Sequence, residues 1–180
     1  MSDPAPSQPS PRIYVAHLSD YNAGYLHGVW IDATNDVEDI QASITQMLVA
    51  GHDPNGEEWA IHDYEGFCGI RLGEYEPLAW VAGVASGVAK HGEAFAMWVE
   101  RFEPNEHELG EFEDVYVGRW DTMADYARSL LDDFGEEVDD VGPEHLRPYF
   151  SFDIEAYARD LASEGHIVQG PKGVYVFSVS

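Results

Sequence analysis

The excess of acidic over basic residues is the feature of this sequence that most constrains its fold. The chain has 34 Asp and Glu residues against 9 Lys and Arg residues, a formal net charge of −25 in 180 residues. Self-repulsion of this size opposes a compact state, so a stable fold must bury enough apolar surface to offset it. The material is present, because 44% of the residues are hydrophobic and 13% are aromatic. We therefore predict an ordered protein rather than a disordered acidic chain.

The charge and the cysteine count exclude several classes of function. Nucleic acids and anionic membrane surfaces are bound through basic patches, which so few Lys and Arg residues do not supply. Cys68 is the only cysteine, so neither an intramolecular disulfide nor a cysteine-based zinc site can form. The longest uncharged apolar stretch, 77–89, is shorter than a membrane span. We expect a cytoplasmic protein that binds neither membranes nor nucleic acid directly.

The order of the predicted elements indicates an α+β fold with three small units in a row. Residues 1–11 are rich in proline and serine and are expected to form a disordered leader. Residues 12–75 pattern as a wide hairpin, a helix and a third strand, an N-terminal α+β unit. Residues 76–113 are predicted to form a mainly helical middle unit. Residues 114–180 pattern as a second α+β unit, which closes with a hairpin.

Local signals place the helix ends within this plan. Asn35 is a candidate cap for a helix at about 36–50, and Asp121 is a candidate cap for the helix that follows the strand near Trp120. The last helix is expected to begin at Ser151 or Asp153. In the middle unit, a break near Gly92 divides two helices. Gly83 and Gly87, four residues apart, predict close packing between helices rather than a membrane dimer.

No motif in the sequence supports an enzyme. A zinc-protease helix motif, a phosphate-binding loop and a dinucleotide-binding motif are all missing from the sequence. A calcium loop beginning at Asp133 fails, because Gly135 and Val138 stand where an acid and a glycine are required. The carboxylates are too numerous for any two to be chosen as an acid–base pair. We therefore predict no catalysis, no cofactor and no metal site.

The acidic residues are concentrated in one segment, residues 100–140, which we call the acidic belt. It contains 15 acidic and 3 basic residues. Helical neighbours three or four residues apart lie about 5–6 Å apart at Cβ, a spacing similar in scale to that of phosphates along a DNA strand. Aromatic residues alternate with the acids, which favours an ordered surface. The candidate partner-binding residues from this pattern are Glu100, Glu103, Glu111, Asp114, Asp121 and Asp125.

Three interpretations of the acidic belt remain open from composition and spacing alone. It is a solvated face of a halophilic protein, a binding surface of an acidic adaptor or chaperone for basic proteins, or a mimic of duplex DNA. A requirement for molar salt in folding would favour the first. Binding to isolated histone-like proteins would favour the second.

Several motifs in the sequence are similar to those of one known family. They are found at 12–16, 21–24, 28–32, 57–65, 126–131, 143–149, 152–161 and 173–177. In their order and spacing the chain resembles the ArdA antirestriction proteins from about Arg12 to its C-terminal end. The segment 72–113 matches that family only in being helical and acidic.

The resemblance implies both an architecture and a function. Proteins of this family are elongated and curved, with an α+β unit, a helical middle and a second α+β unit through which they dimerise. They bind type I restriction-modification enzymes and compete with DNA for the groove formed by the specificity and methyltransferase subunits, and so protect incoming mobile DNA. They need no cofactor.

The resemblance also adds candidate residues. Residues 130–141 resemble the acidic region of that family known as the antirestriction motif. The corresponding partner-binding candidates are Asp132, Asp133, Glu136, Glu137, Asp139 and Asp140.

Overall fold

A computed structural model of the chain describes residues 10–53, 55–134 and 152–178. The chain divides into two compact units, Met1–Phe112 and Glu113–Ser180. The described residues form seven α-helices and two three-stranded antiparallel sheets, which confirms the predicted α+β class. The three-unit division and the dimerisation of residues 114–180 remain predictions. None of the described helices is long and apolar enough to cross a membrane.

The first unit joins a three-stranded sheet to four α-helices. The sheet has the order β2-β1-β3, so that the predicted hairpin forms its first two strands. The elements are β1 (Arg12–His17), α1 (Leu18–Asn22), β2 (Gly28–Asp32), α2 (Val37–Val49), β3 (Trp59–Glu65), α3 (Leu78–His91), α4 (Glu93–Phe102) and a 3₁₀ turn (Leu109–Glu111).

Helix α2 contacts the sheet through a buried stripe. Ile40, Ile44 and Met47 recur at intervals of four and three, which places them on one face, and all three are buried. The predicted helix is confirmed, but its predicted cap, Asn35, is wrong. Asp36 occupies the N-cap position without a side-chain cap hydrogen bond. Asn35 instead lies in a turn closed by its own amide, which donates to the carbonyl of Asp32 (3.4 Å).

Helices α3 and α4 meet at Gly92, as predicted. Gly92 has φ +61°, in the left-handed region that glycine adopts without steric cost, so it ends one helix and begins the next. A Cβ added at Gly87 would overlap the ring of Phe95, and one added at Gly83 would lie 2.6 Å from Cδ1 of Leu109. The prediction that these glycines permit close packing is therefore confirmed.

A buried polar cluster holds the turn that precedes β3. His17 and Asp20 are both almost fully buried. The Asp20 carboxylate accepts hydrogen bonds from the amides of His52 (2.9 Å) and Asp53 (3.1 Å). Nδ1 of His17 accepts from the Asp20 amide (3.3 Å), which leaves Nε2 to donate to the carbonyl of Asp53 (3.1 Å). Burial raises the pKa of Asp20, but the amide hydrogen bonds outweigh it, so this pKa lies below its ordinary value.

The second unit packs two helices on one face of its sheet. The core contains Tyr126 and Ala127 from α6, Ala158 and Leu161 from α7, and Val176 from the central strand of the β4-β6-β5 sheet. The unit begins within α5, and its elements are α5 (Phe112–Val115), β4 (Tyr116–Trp120), α6 (Met123–Phe134), α7 (Ile154–Leu161), β5 (Ile167–Gly170) and β6 (Gly173–Phe177).

Of the helix caps predicted in the second unit, that of α7 is confirmed and that of α6 is wrong. Asp153 caps α7, since its carboxylate accepts from the amide of Ala156 (2.9 Å), which confirms one of the two predicted positions. The prediction that Asp121 caps α6 is wrong. Thr122 has that role, because its hydroxyl accepts from the amide of Asp125 (3.1 Å).

Candidate partner-binding surface

Eight of the twelve candidate residues belong to the described part of the chain. Glu136, Glu137, Asp139 and Asp140 lie outside the described residues. Three of the described candidates belong to the first unit and five to the second. The first group is Glu100, Glu103 and Glu111, and the second is Asp114, Asp121, Asp125, Asp132 and Asp133.

The candidates of the first unit are exposed and lie on ordered backbone. Glu100 is on α4, and Glu111 ends the 3₁₀ turn. Glu103 caps the C-terminal end of α4 in a left-handed conformation, φ +50°, with its amide donating to the carbonyl of Val99 (2.9 Å). Glu103 therefore has a structural role in ending the helix in addition to its exposed charge.

Asp121 lies two residues before the start of α6. Its carboxylate pairs with Nη2 of Arg119 (3.1 Å) and remains 80% exposed. Arg119 is also held by the carbonyl of Lys172, to which its Nη1 donates (2.7 Å). Asp121 is thus available to a partner, but an arginine already balances part of its charge.

Asp125 is the candidate most engaged within its own helix. It accepts from the Thr122 hydroxyl (2.6 Å) and pairs with Nη1 of Arg128 (3.0 Å). The Thr122 hydrogen bond, aided by the Arg128 charge, lowers the pKa of Asp125 despite partial burial. We assign Asp125 mainly to the start of α6.

Asp132 and Asp133 have no comparable contacts in the part of the chain that the structure describes. Both are exposed, and neither forms an ion pair with a residue that the structure describes. They lie in the last turn of α6, which contains no basic residue. Negative charge at the C-terminal end of a helix opposes the helix dipole and costs about 0.3–1 kcal/mol. Among the described residues, therefore, no stabilising interaction accounts for this pair of carboxylates.

Exposed carboxylates also occur outside the acidic belt. They were not among the predicted partner-binding residues, because the local density of acidic residues in the sequence is lower there. Glu38 and Asp39 lie in the first turn of α2, where their negative charges interact favourably with the helix dipole. Glu57 and Glu58 precede β3. A search for exposed acids in helix first turns and before strands would have found these residues.

The described residues contain no group of three or more His, Cys, Asp or Glu side chains arranged to hold a metal ion. Within each unit, the described carboxylates of the acidic belt are exposed, except that of Asp125, which is partly buried. Exposed carboxylates of this kind can contact a basic partner surface.

Comparison with known families shows to which family the chain is related. The family model described as antirestriction protein (ArdA) matches residues 13–176. The chain belongs to the ArdA antirestriction family. The resemblance inferred from the sequence motifs is therefore confirmed over nearly the whole chain, including the segment 72–113 that the motifs did not cover. A search of curated proteins finds no match to this chain.

Proposed function

We propose that this ArdA protein inhibits type I restriction-modification enzymes by occupying their DNA-binding groove with its acidic surface. Membership of an antirestriction family supports a restriction-modification enzyme as the partner. The observation that carries the mechanism is the pair Asp132 and Asp133, exposed at the unfavourable end of α6. Exposed carboxylates that oppose the helix dipole, and that no described residue neutralises, are expected to serve binding.

The ordered backbone beneath the acidic residues favours the proposed contact with a basic groove. Glu100, Glu111 and Asp114 lie on helical backbone and are exposed. Self-repulsion among the acidic residues is already present in the folded chain, so a basic groove would relieve it and release counterions. A disordered acidic tail would have to be ordered on binding and would lose part of this gain.

The proposal includes a homodimer formed through residues 114–180. Two chains carry a net charge of −50, twice the −25 of one chain. Duplex DNA carries one charge per about 1.7 Å, so this charge corresponds to roughly 85 Å of duplex. Such a dimer would act in the cytoplasm on the specificity and methyltransferase subunits, without catalysis and without a cofactor.

Competition kinetics test this function. A purified type I restriction enzyme cleaves unmodified target DNA in the presence of increasing amounts of the protein. The concentration for half-inhibition is expected to rise in proportion to the DNA concentration, because the two ligands share one groove. A type II endonuclease serves as the control and is expected to be unaffected. Inhibition that does not depend on DNA concentration would contradict occupation of the groove.

A further inference from the structure

A cleft in the first unit combines aromatic and acidic side chains outside the acidic belt. It lies where the start of β3 meets the first turns of α2 and α3, and its volume is about 670 Å³. Small-ligand sites usually enclose about 300–1,000 Å³. We call it the aromatic–acid cleft. Its lining includes Trp59, Tyr75, Leu78, Glu57, Glu58 and Glu76.

Hydrogen bonds hold the walls of the aromatic–acid cleft. The amide of Leu18 donates to the carbonyl of Glu58 (3.0 Å), next to the turn anchored by Asp20. Elsewhere in the lining, Oε1 of Glu76 accepts from the amide of Gly73 (3.3 Å). Tyr75 remains 71% exposed between these fixed segments. The aromatic surface is therefore presented to solvent on ordered backbone rather than buried in the core.

The charge of the aromatic–acid cleft selects a cation. Three carboxylates give its lining a formal charge of −3, and none of the described residues that line it is Lys or Arg. The first turns of α2 and α3 oppose this through their dipoles, but each contributes only roughly +0.5. The net field remains negative, and Trp59 and Tyr75 in the lining provide aromatic rings that can attract cations.

Among cations, the lining fits a guanidinium group better than an ammonium group. A guanidinium is planar, stacks on aromatic faces and donates two parallel hydrogen bonds to a carboxylate. Its aliphatic stem can pack on apolar surface such as that of Leu78. An ammonium group is a compact, strongly hydrated charge and loses more on leaving water.

We propose that the aromatic–acid cleft binds an arginine side chain of the partner enzyme. The class of cation follows from the lining, whereas the identity of the partner rests on the proposed function. Stacking and apolar contact act at short range and are screened less by salt than the attraction between exposed charges. The cleft would therefore preserve binding at salt concentrations that weaken the contact made by the acidic belt.

Direct binding of a model compound tests the cleft itself. The full-length protein is titrated with N-acetyl-arginine amide in about 150 mM salt, the ionic strength of a cell, while NMR follows the indole N–H of Trp59. We expect a saturable shift, with binding at least about threefold tighter than for N-acetyl-lysine amide. The uncharged citrulline analogue is expected to bind more weakly still. Absence of a saturable shift with the arginine compound would overturn the proposal.

Matched variants assign the binding to the cleft residues. Tyr75→Ala and Glu58→Gln are each expected to weaken arginine binding at least about threefold. Tyr21→Ala and Glu74→Gln make the same chemical changes at exposed residues that do not line the cleft, and are expected to leave binding unchanged. An equal loss in the variants and their controls would overturn the assignment.

Inhibition assays then test the occupant. At about 200 mM salt, at the upper end of the range over which phosphate-type contacts weaken strongly, Tyr75→Ala is expected to inhibit the type I enzyme at least about threefold less well than Tyr21→Ala. Equal inhibition by the two variants would overturn an enzyme arginine as the occupant. If the unmodified protein does not inhibit the type I enzyme, the proposed function is overturned. The titration with the arginine compound would still show whether the cleft binds arginine.

Discussion

At the level of single residues, two groups of described carboxylates differ in their environment. Asp20, Asp32 and Asp125 accept hydrogen bonds from nearby amides or hydroxyls, and the pKa of each lies below its ordinary value. Asp132 and Asp133 are exposed and unpaired among the described residues. Substitution in the first group is therefore expected to change folding, and substitution in the second to change binding.

The first group predicts how stability depends on pH. A carboxylate whose pKa is lowered by folding contributes stability above its unfolded pKa of about 3.9, and this is lost as the pH falls through the lower folded value. From pH 7 toward the sequence pI of about 4.3, loss of negative charge relieves self-repulsion. We expect stability to fall only below about pH 4. Urea unfolding followed by tryptophan fluorescence at several pH values measures this.

Asp20→Asn provides the matching variant. We expect it to be less stable than the wild type at pH 7. The carboxylate accepts from the His52 and Asp53 amides with one oxygen each, whereas the asparagine side chain has a single oxygen. It is also expected to lose less stability between pH 4 and pH 2, since position 20 no longer binds a proton on unfolding. Parallel curves for the two proteins would show that Asp20 does not contribute to acid unfolding.

At the level of helices and strands, hydrophobic periodicity predicted the strands and the longer helices but not the short helices α1 and α5, and local chemistry decided where elements end. The 3–4 spacing of Ile40, Ile44 and Met47 fixes α2, because a helix must bury one face. Asn35 and Asp121 both carry good capping side chains, yet the backbone amide of Asn35 closes a turn with Asp32 and the Asp121 carboxylate pairs with Arg119. Arg119 is itself held by the carbonyl of Lys172, which folding brings close, so the order of residue types alone did not reveal this pairing.

The caps in the second unit predict a difference between two Asp→Ala substitutions. Asp153→Ala removes the hydrogen bond to the Ala156 amide and is expected to cost about 1 kcal/mol of unfolding free energy. Asp121→Ala removes only an exposed ion pair with Arg119 and is expected to change stability by less than about 0.5 kcal/mol. Chemical denaturation measures both, and a larger loss for Asp121→Ala would restore it as a cap.

Packing between α3 and α4 predicts a similar contrast between two glycines. Gly87→Val would place side-chain atoms into the ring of Phe95, and over-packing of this kind costs about 1–3 kcal/mol. Gly110→Val is the control, because a Cβ there meets nothing within 4 Å. We expect it to change stability by less than about 0.5 kcal/mol. Equal effects in thermal unfolding would contradict the close packing at Gly87.

At the level of the whole molecule, charge density indicated a region of the chain rather than a set of contact residues. The acidic belt was visible in the sequence because 15 of its residues are acidic. That Asp125 is engaged by Thr122 and Arg128 depends on the start of α6, which the sequence placed one residue too early. The aromatic–acid cleft was not predicted, because folding brings together its residues from α1, α2, β3 and α3.

A distributed contact predicts small effects for single charge neutralisations. Asp133→Asn is expected to weaken binding to the enzyme by less than about 1 kcal/mol, since many carboxylates share the interaction. The same change is expected to leave folding stability unchanged or raise it by up to about 1 kcal/mol, because it removes a charge that opposes the α6 dipole. A loss in binding above about 3 kcal/mol would indicate a hot spot instead.

Displacement of DNA tests most directly whether this protein occupies the DNA-binding groove of its partner. The purified protein is titrated into a type I methyltransferase bound to labelled target DNA, at about 50 mM and about 200 mM salt. We expect stoichiometric release of the DNA at the lower concentration and much weaker release at the higher one, because counterion release drives the contact. Failure of the folded protein to release DNA at either salt concentration would contradict occupation of the groove.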